Sequence, residues 1–454
     1  MRDLTQGSIS RQLIAMALPI CAGMLLQTLY YIVDLYFVSR LGDAAIAGVS
    51  AAGNLMLVVF ALTQMLGVGV VALISQAVGR KDAAEANLVF NQSIVLSLLC
   101  AALTLLLGYL GTAAYMRTLG ADAATITAGT TYLYWFLPGL ALQFALVAMG
   151  SALRGTGIVR PTMVVQALTV LLNIVLAPVL IAGWGSGRPL GVAGAGLAST
   201  LSIAAGVLLL SFYFFRLEKY VHMRPSQWSP RLTIWLRMLN IGLPAGGEFA
   251  LMFVYSAVIF WIIRHFGATA QAGFGVGSRV MQSISLPAMA IAFAAAPIIG
   301  QNFGAMHPER VRSTFRCAAL MSTGVMLLLT LLCQWQSAWF IAPFSTEPAV
   351  VSMGAEFLGI ISWNFAASGL VFTCSSTFQG MGNTWPSLAS GASRLLTFVG
   401  PAIWLATQPG FELRQLWHLS VVTVTLQAIV SVLLVRREFA RRLPVAELAA
   451  AAGA

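Results

Sequence analysis

Charge is what this sequence has least of: only 9% of its 454 residues are Asp, Glu, Lys or Arg, where a soluble globular chain carries about 25%. That deficit excludes a water-facing surface over most of the molecule. Paired cysteines are missing too. The five present (Cys21, Cys100, Cys317, Cys333, Cys374) are odd in number, form no CxxC and all fall in apolar stretches, which excludes a disulfide framework or a thiol redox pair. The four histidines are scattered, and HExxH, GxSxG and Walker loops are absent, so neither a metal site nor an enzyme is indicated and no cofactor is implied. The net charge of +11 does not indicate nucleic acid, because the basic residues are spread through short loops.

What fills the chain is apolar sequence, 59% of residues, with a mean hydropathy of +0.87. Runs long enough to span a bilayer, about 20 residues each, lie near 12–38, 45–77, 91–115, 123–150, 160–182 and 192–215, then 238–264, 269–302, 315–340, 349–377, 386–407 and 413–435. They are too long for barrel strands, which run about 10 residues. The expected fold is an all-α integral membrane protein of twelve transmembrane helices. The N-terminus, MRDLTQGSISRQL, runs straight into the first span with no short apolar core and cleavage site, and reads as an uncleaved start.

Eighteen of the 25 basic residues fall in the N-terminus, the even-numbered connections and the C-terminus, five in the odd-numbered connections, and two, Arg279 and Arg394, inside spans. The positive-inside bias then makes both termini cytoplasmic.

A repeat organises the chain. Pro19, Gly42, Gly48, Gln76, Gly79, Gly155, Gly157 and Pro161 recur, at a constant offset of 225, as Pro244, Gly267, Gly273, Gln301, Gly304, Gly380, Gly382 and Pro386. Two homologous six-helix bundles follow, both entering the membrane in the same direction, as in parallel repeats, which place a central cleft between bundles and substrate near the midplane. The expected division is an N-terminal lobe of residues 1–215, a cytoplasmic linker of 216–237, a C-terminal lobe of 238–435 and a cytoplasmic tail of 436–454.

Ionisable groups within spans are costly and point to function. Asp34 shares a helical face with Gln27 and Tyr30, spaced i, i+3 and i+7, and reads either as a functional carboxylate or as an anchor paired with Arg40 or Arg394. Glu248 follows Pro244 by one turn. Its repeat partner is Gly23, so it stands 11 residues from the register of Asp34, about 16 Å at 1.5 Å per residue. It either lines a wet mouth or takes part in coupling. Arg279 and Arg394 satisfy carbonyls or a carboxylate between helices, or bind substrate.

These features resemble the MATE family of multidrug and toxic compound extrusion transporters over essentially the whole chain: LP then an aromatic-flanked Asp in the first span, FVSRLGDAAIAG after it, SQAVG ending the second, and RGTG with a following Pro. The resemblance implies antiport of bulky, often cationic organic compounds against H+ or Na+ by alternating access. It assigns ion coupling to Asp34, to Asn173 as the fifth-span Asn, and to Ser199 where the family has Thr. Ala177 stands where many members carry a second Asp, which removes a hard oxygen ligand and weakens Na+ coupling. Met252 replaces an acidic seventh-span residue of one branch, so the pattern is closer to the DinF-like branch.

The expectation is therefore a proton-coupled multidrug exporter of the bacterial inner membrane. Its substrate cavity would draw on Gln27, Tyr30, Asp34, Asn173, Glu248, Met252 and Tyr255. Na+ coupling is the nearest alternative, followed by a lipid-linked precursor flippase, for which Arg279 and Arg394 supply little positive charge. The partners are small organic compounds and membrane lipids. The oligomeric state stays open, a monomer included.

Overall fold

The computed structural model describes residues 1–119, 122–185, 187–345 and 347–443, so the end of the expected tail, 444–454, lies outside the described residues. Thirteen α-helices occupy the described residues: α1 (Ile9–Ser39), α2 (Asp43–Gly79), α3 (Ala83–Leu119), α4 (Ala123–Gly155), α5 (Arg160–Ile181), α6 (Val192–Arg216), α7 (Leu232–Ile263), α8 (Ala268–Gly304), α9 (Pro308–Ile341), α10 (Pro348–Ile361), α11 (Asn364–Gly380), α12 (Trp385–Ala406) and α13 (Leu413–Arg442). Eleven are long and apolar enough to cross a membrane, and α10 with α11 forms a twelfth span bent by 57°.

The bend shows how broken backbone survives in a bilayer, where every freed polar group needs a partner. At the break, the Ser362 carbonyl accepts from Thr330 Oγ1 of α9 at 2.8 Å and the Ser362 hydroxyl accepts from Gln334 Nε2 at 2.7 Å. α4 stays continuous through Pro138. Proline has no N–H to bond the carbonyl four residues back, and that carbonyl, of Tyr134, accepts from Tyr109 Oη at 3.1 Å instead.

The repeat is visible in backbone geometry. Gly42 and Gly267 precede α2 and α8 with φ of 99° and 87°, and the non-glycine residues at positive φ are Lys81 (61°) and Met306 (58°), again 225 apart. Gly48 abuts Gly129 in α4, and their partners Gly273 and Gly354 abut each other in the second copy. Small residues let membrane helices approach to backbone contact.

The chain forms two compact units that do not part at the expected linker: Met1–Asp3 with Ala22–Gly242, and Leu4–Cys21 with Leu243–Ala454. The first stretches of α1 and α7 thus belong to the unit built mainly from the opposite half of the sequence. Tertiary contacts decide this. In the N-terminal unit, Gly69 and Gly242 let the start of α7 lie flush on α2, since a Cβ on Gly242 would stand 2.1 Å from the Met65 carbonyl oxygen. In the C-terminal unit, Leu4 donates its N–H to Gln301 Oε1 at 2.9 Å, and Asn302 Nδ2 donates to the Leu4 carbonyl at 3.2 Å. The expected linker is fastened within the N-terminal unit. The N–H groups of His222, Arg224 and Arg231 each donate at 2.8 Å, to Asn87 Oδ1, Asn91 Oδ1 and Gln92 Oε1 of α3.

Candidate functional site

The site begins on α1. Its polar stripe sits on a helix whose remaining positions are largely exposed apolar residues such as Leu25, Leu29 and Ile32, as a lipid-facing helix requires. Asp34 is turned inward and is 8% exposed. Tyr30, one turn earlier, faces Ser199 of α6, and Tyr132 of α4 lies within electrostatic reach of Asp34 and Tyr30. Gln27 engages Tyr31, its i+4 neighbour, rather than Asp34. α6 comes close to α4 because Gly196 packs on the Tyr132 carbonyl, where a Cβ would approach to 2.6 Å.

Asp34 and Tyr30 of α1, Tyr132 of α4, Asn173 of α5 and Ser199 of α6 are the polar groups in question in the N-terminal unit. Among the described residues, Asp34 Oδ1, Tyr30 Oη, Ser199 Oγ and both amide atoms of Asn173 are buried without a hydrogen-bond partner. Buried polar atoms are overwhelmingly paired, so these atoms are exceptions to the rule. Asp34, Tyr30 and Ser199 are brought together. Asn173, fully buried on α5, shares the unit and the unpaired state, but no contact with Asp34 is seen. Ala177, one turn beyond Asn173, is also fully buried and carries no oxygen.

The anchor reading of Asp34 does not fit. Arg40 donates to Tyr36 Oη and stacks on that ring at 4.7 Å, while Arg394 stacks on Tyr255. No described cation pairs with Asp34 Oδ1.

The C-terminal unit holds the other expected cavity residues. Glu248 accepts from Ser375 Oγ of α11 at 3.2 and 3.4 Å, and Ser387 of α12 donates to Ser375 at 2.7 Å. Met252 is 47% exposed. Tyr255 Oη is 2.7 Å from Ser420 Oγ of α13, its ring centroid is 4.5 Å from that of Phe398, and Arg394 Cζ is 4.2 Å above it.

Tyr132 and Ser420 are the residues that sequence reasoning missed. Tyr132 lies in YLYWF, an aromatic run like any core segment. Ser420 escapes the offset of 225. Six residues connect α12 to α13 and ten connect α5 to α6, so in the last helix the repeat slips to 221, which pairs Ser199 with Ser420. Tyr30 and Tyr255 are partners at 225, so each unit carries a Tyr facing a Ser from its last helix.

A family model, MatE, matches residues 19–179 and 244–403. The chain belongs to the MatE family. Both matched blocks begin at the repeated prolines, Pro19 and Pro244, so the two halves are two copies of the family unit. This MATE protein is similar to a FAD transporter of Shewanella oneidensis (24% identity, 88% of either chain) and to the multidrug export protein MepA of Staphylococcus aureus (26% identity, 85% of this chain and 86% of that one). Its fold superposes on an outward-facing multidrug resistance MATE transporter of the MOP superfamily with a TM-score of 0.91 at 24% identity, covering 98% of each chain. The family is one of multidrug efflux transporters, not enzymes.

Proposed function

We propose that this MATE protein is a bacterial inner-membrane exporter of organic, often cationic compounds, exchanging them for protons, with Asp34 as the coupling carboxylate. The observation that carries the reading is the state of Asp34: buried, without a cation, and beside Tyr30, which faces Ser199. Ionised, it attracts a cationic substrate. Protonation removes a charge from the bilayer interior, where charge is costly, and favours substrate release. Coupling requires only that proton and substrate favour different states, and it is then reciprocal. The bias of eighteen basic residues to five supports cytoplasmic termini, with residues 216–237 on the same side. A FAD transporter and a multidrug exporter among the relatives fit a substrate range wider than simple cations.

Na+ is the second reading, favoured by the side-chain oxygens that Asp34, Ser199 and Asn173 supply within one unit, since hard cations take oxygen ligands. The missing carboxylate at Ala177 ranks it second.

The test is drug accumulation in an efflux-deficient bacterium. Expression of the chain lowers accumulation, and an uncoupler restores it while a Na+ gradient persists. Export that survives the uncoupler and stops on removal of Na+ overturns the choice of proton.

A further inference from the structure

We propose that the C-terminal unit contains a subsite for an anionic group, the carboxylate or phosphate of an aromatic organic compound, built on Arg394 stacked on Tyr255, a ring that Ser420 and Asn364 hold in place. This rests on the export reading and names a substrate class for it.

Arg394 is the tenth of the 22 residues of α12, so its charge starts from the middle of a span. A guanidinium there needs a counter-charge or a ring of hydrogen-bond acceptors. Neither is present among the described residues. Its Nε is buried with no hydrogen-bond partner, and the carboxylate of its own unit that lies within a span near α12, Glu248, is held by Ser375. What Arg394 has is the face of Tyr255, with Cζ 4.2 Å from the ring centroid. A ring face orients the guanidinium plane but leaves the edge donors free.

The platform is fixed in place. Tyr255 Oη is bonded to Ser420 at 2.7 Å, its ring packs on the fully buried Phe398 at 4.5 Å, and Asn364 Nδ2 donates to Ser420 Oγ at 3.3 Å. A planar cation held flat, with free donors at its edge, matches the fork of a carboxylate or phosphate, and the neighbouring aromatic faces suit a ring attached to that anion.

The repeat supports the same assignment independently. In the N-terminal unit the Tyr30 and Ser199 pair borders Asp34, whereas in the C-terminal unit the position of Asp34 is Ile259. Arg394 replaces Thr169, whose hydroxyl merely donates to the Val165 carbonyl of its own helix at 2.8 Å. One scaffold thus presents a negative group in one unit and a positive group in the other.

The test uses the full chain in phosphatidylcholine nanodiscs, titrated by fluorescence with 1-pyrenebutyrate and with its uncharged methyl ester. Wild type binds the carboxylate about tenfold more tightly than the ester, the scale of one charge-assisted contact. Arg394→Gln brings the two affinities together while ester binding stays at the wild-type value, which also reports a folded protein, and Arg394→Lys keeps part of the preference. Equal affinities for the two probes in wild type overturn the proposal whatever the variants do. Adding phosphatidylglycerol to the nanodiscs separates the sources of the anion: unchanged carboxylate affinity supports an organic substrate, and loss of it assigns Arg394 to a lipid headgroup and overturns the substrate reading. Binding is read without transport, so a chain that prefers the carboxylate but exports nothing refutes the export reading alone.

Discussion

The two units answer the same structural question with opposite chemistry. In the N-terminal unit, Tyr30 faces Ser199 beside a buried carboxylate, Asp34. In the C-terminal unit, Tyr255 and Ser420 are hydrogen-bonded at 2.7 Å, and the charge beside them is a guanidinium. Apart from the break between α10 and α11, whose counterpart α4 is continuous, most helix limits, positive-φ turns and glycine contacts are shared between the copies. Duplication has therefore kept most of the backbone solution, which packing constrains, while the buried side chains diverged, to a carboxylate in one copy and a guanidinium in the other.

Several substitutions sharpen or break that contrast. Gly48→Ala should be the most damaging, because its Cβ would stand 2.6 Å from the Gly129 nitrogen and 2.8 Å from the Thr125 carbonyl oxygen. A destabilisation of about 3 kcal/mol is expected, the upper end for overpacking. Gly273→Ala, which meets the Met353 side chain at 2.8 Å, should cost about half as much for the same reason. Thermal unfolding of both variants in detergent is the check, and equal losses would show that the copies pack alike even in side chains.

Ala177→Asp places a carboxylate on the same face as Asn173 and should make transport respond to Na+ several-fold more than wild type. The response is read in vesicles with and without a Na+ gradient. No gain would separate Asn173 from any ion site.

The hydroxyl pair gives a smaller effect. Ser420→Ala removes the 2.7 Å hydrogen bond to Tyr255 and should cost about 1 kcal/mol of stability, whereas Ser199→Ala removes a looser contact with Tyr30 and should change transport more than melting temperature. The reverse order would contradict the difference between the two hydroxyl pairs.

Smallest is a cap. Asp122 accepts from the Thr125 N–H at 2.7 Å at the start of α4, which holds its carboxyl below the ordinary value of 3.8, while its repeat partner Glu347 starts α10 with no side-chain cap bond. A carboxyl lowered on folding adds stability above its unfolded value, and that contribution is lost as pH falls through the lowered folded value. Asp122→Ala should therefore lower the melting temperature at pH 7 by more than at pH about 3.

Much of this architecture was readable before folding. Apolar runs placed all twelve spans because hydrocarbon thickness dictates them, and Gly and Pro at one offset marked the turns that need them. The break in the tenth span was not readable. Ser362 and Trp363 carry no Pro or Gly there, and the bend is stabilised by Thr330 and Gln334, about 30 residues upstream. Exchange of the first stretches of α1 and α7 between units was equally hidden, since it depends on contacts such as Gly242 on Met65. At the site, Asp34, Tyr30 and Ser199 were legible from charge, helical spacing and family resemblance. Tyr132 was not, because an aromatic in an apolar run looks the same whether it lines a site or fills a core.

The most direct test of Asp34 as the coupling residue is efflux driven by an imposed pH gradient in vesicles holding equal amounts of wild type, Asp34→Asn and Glu248→Gln. Asp34→Asn keeps the side-chain shape and removes titration, so driven efflux should vanish while the protein remains folded. Glu248→Gln should reduce efflux only partly, since Glu248 already rests on Ser375. Near wild-type efflux from Asp34→Asn, with complete loss from Glu248→Gln, would move coupling to the C-terminal unit and contradict the account.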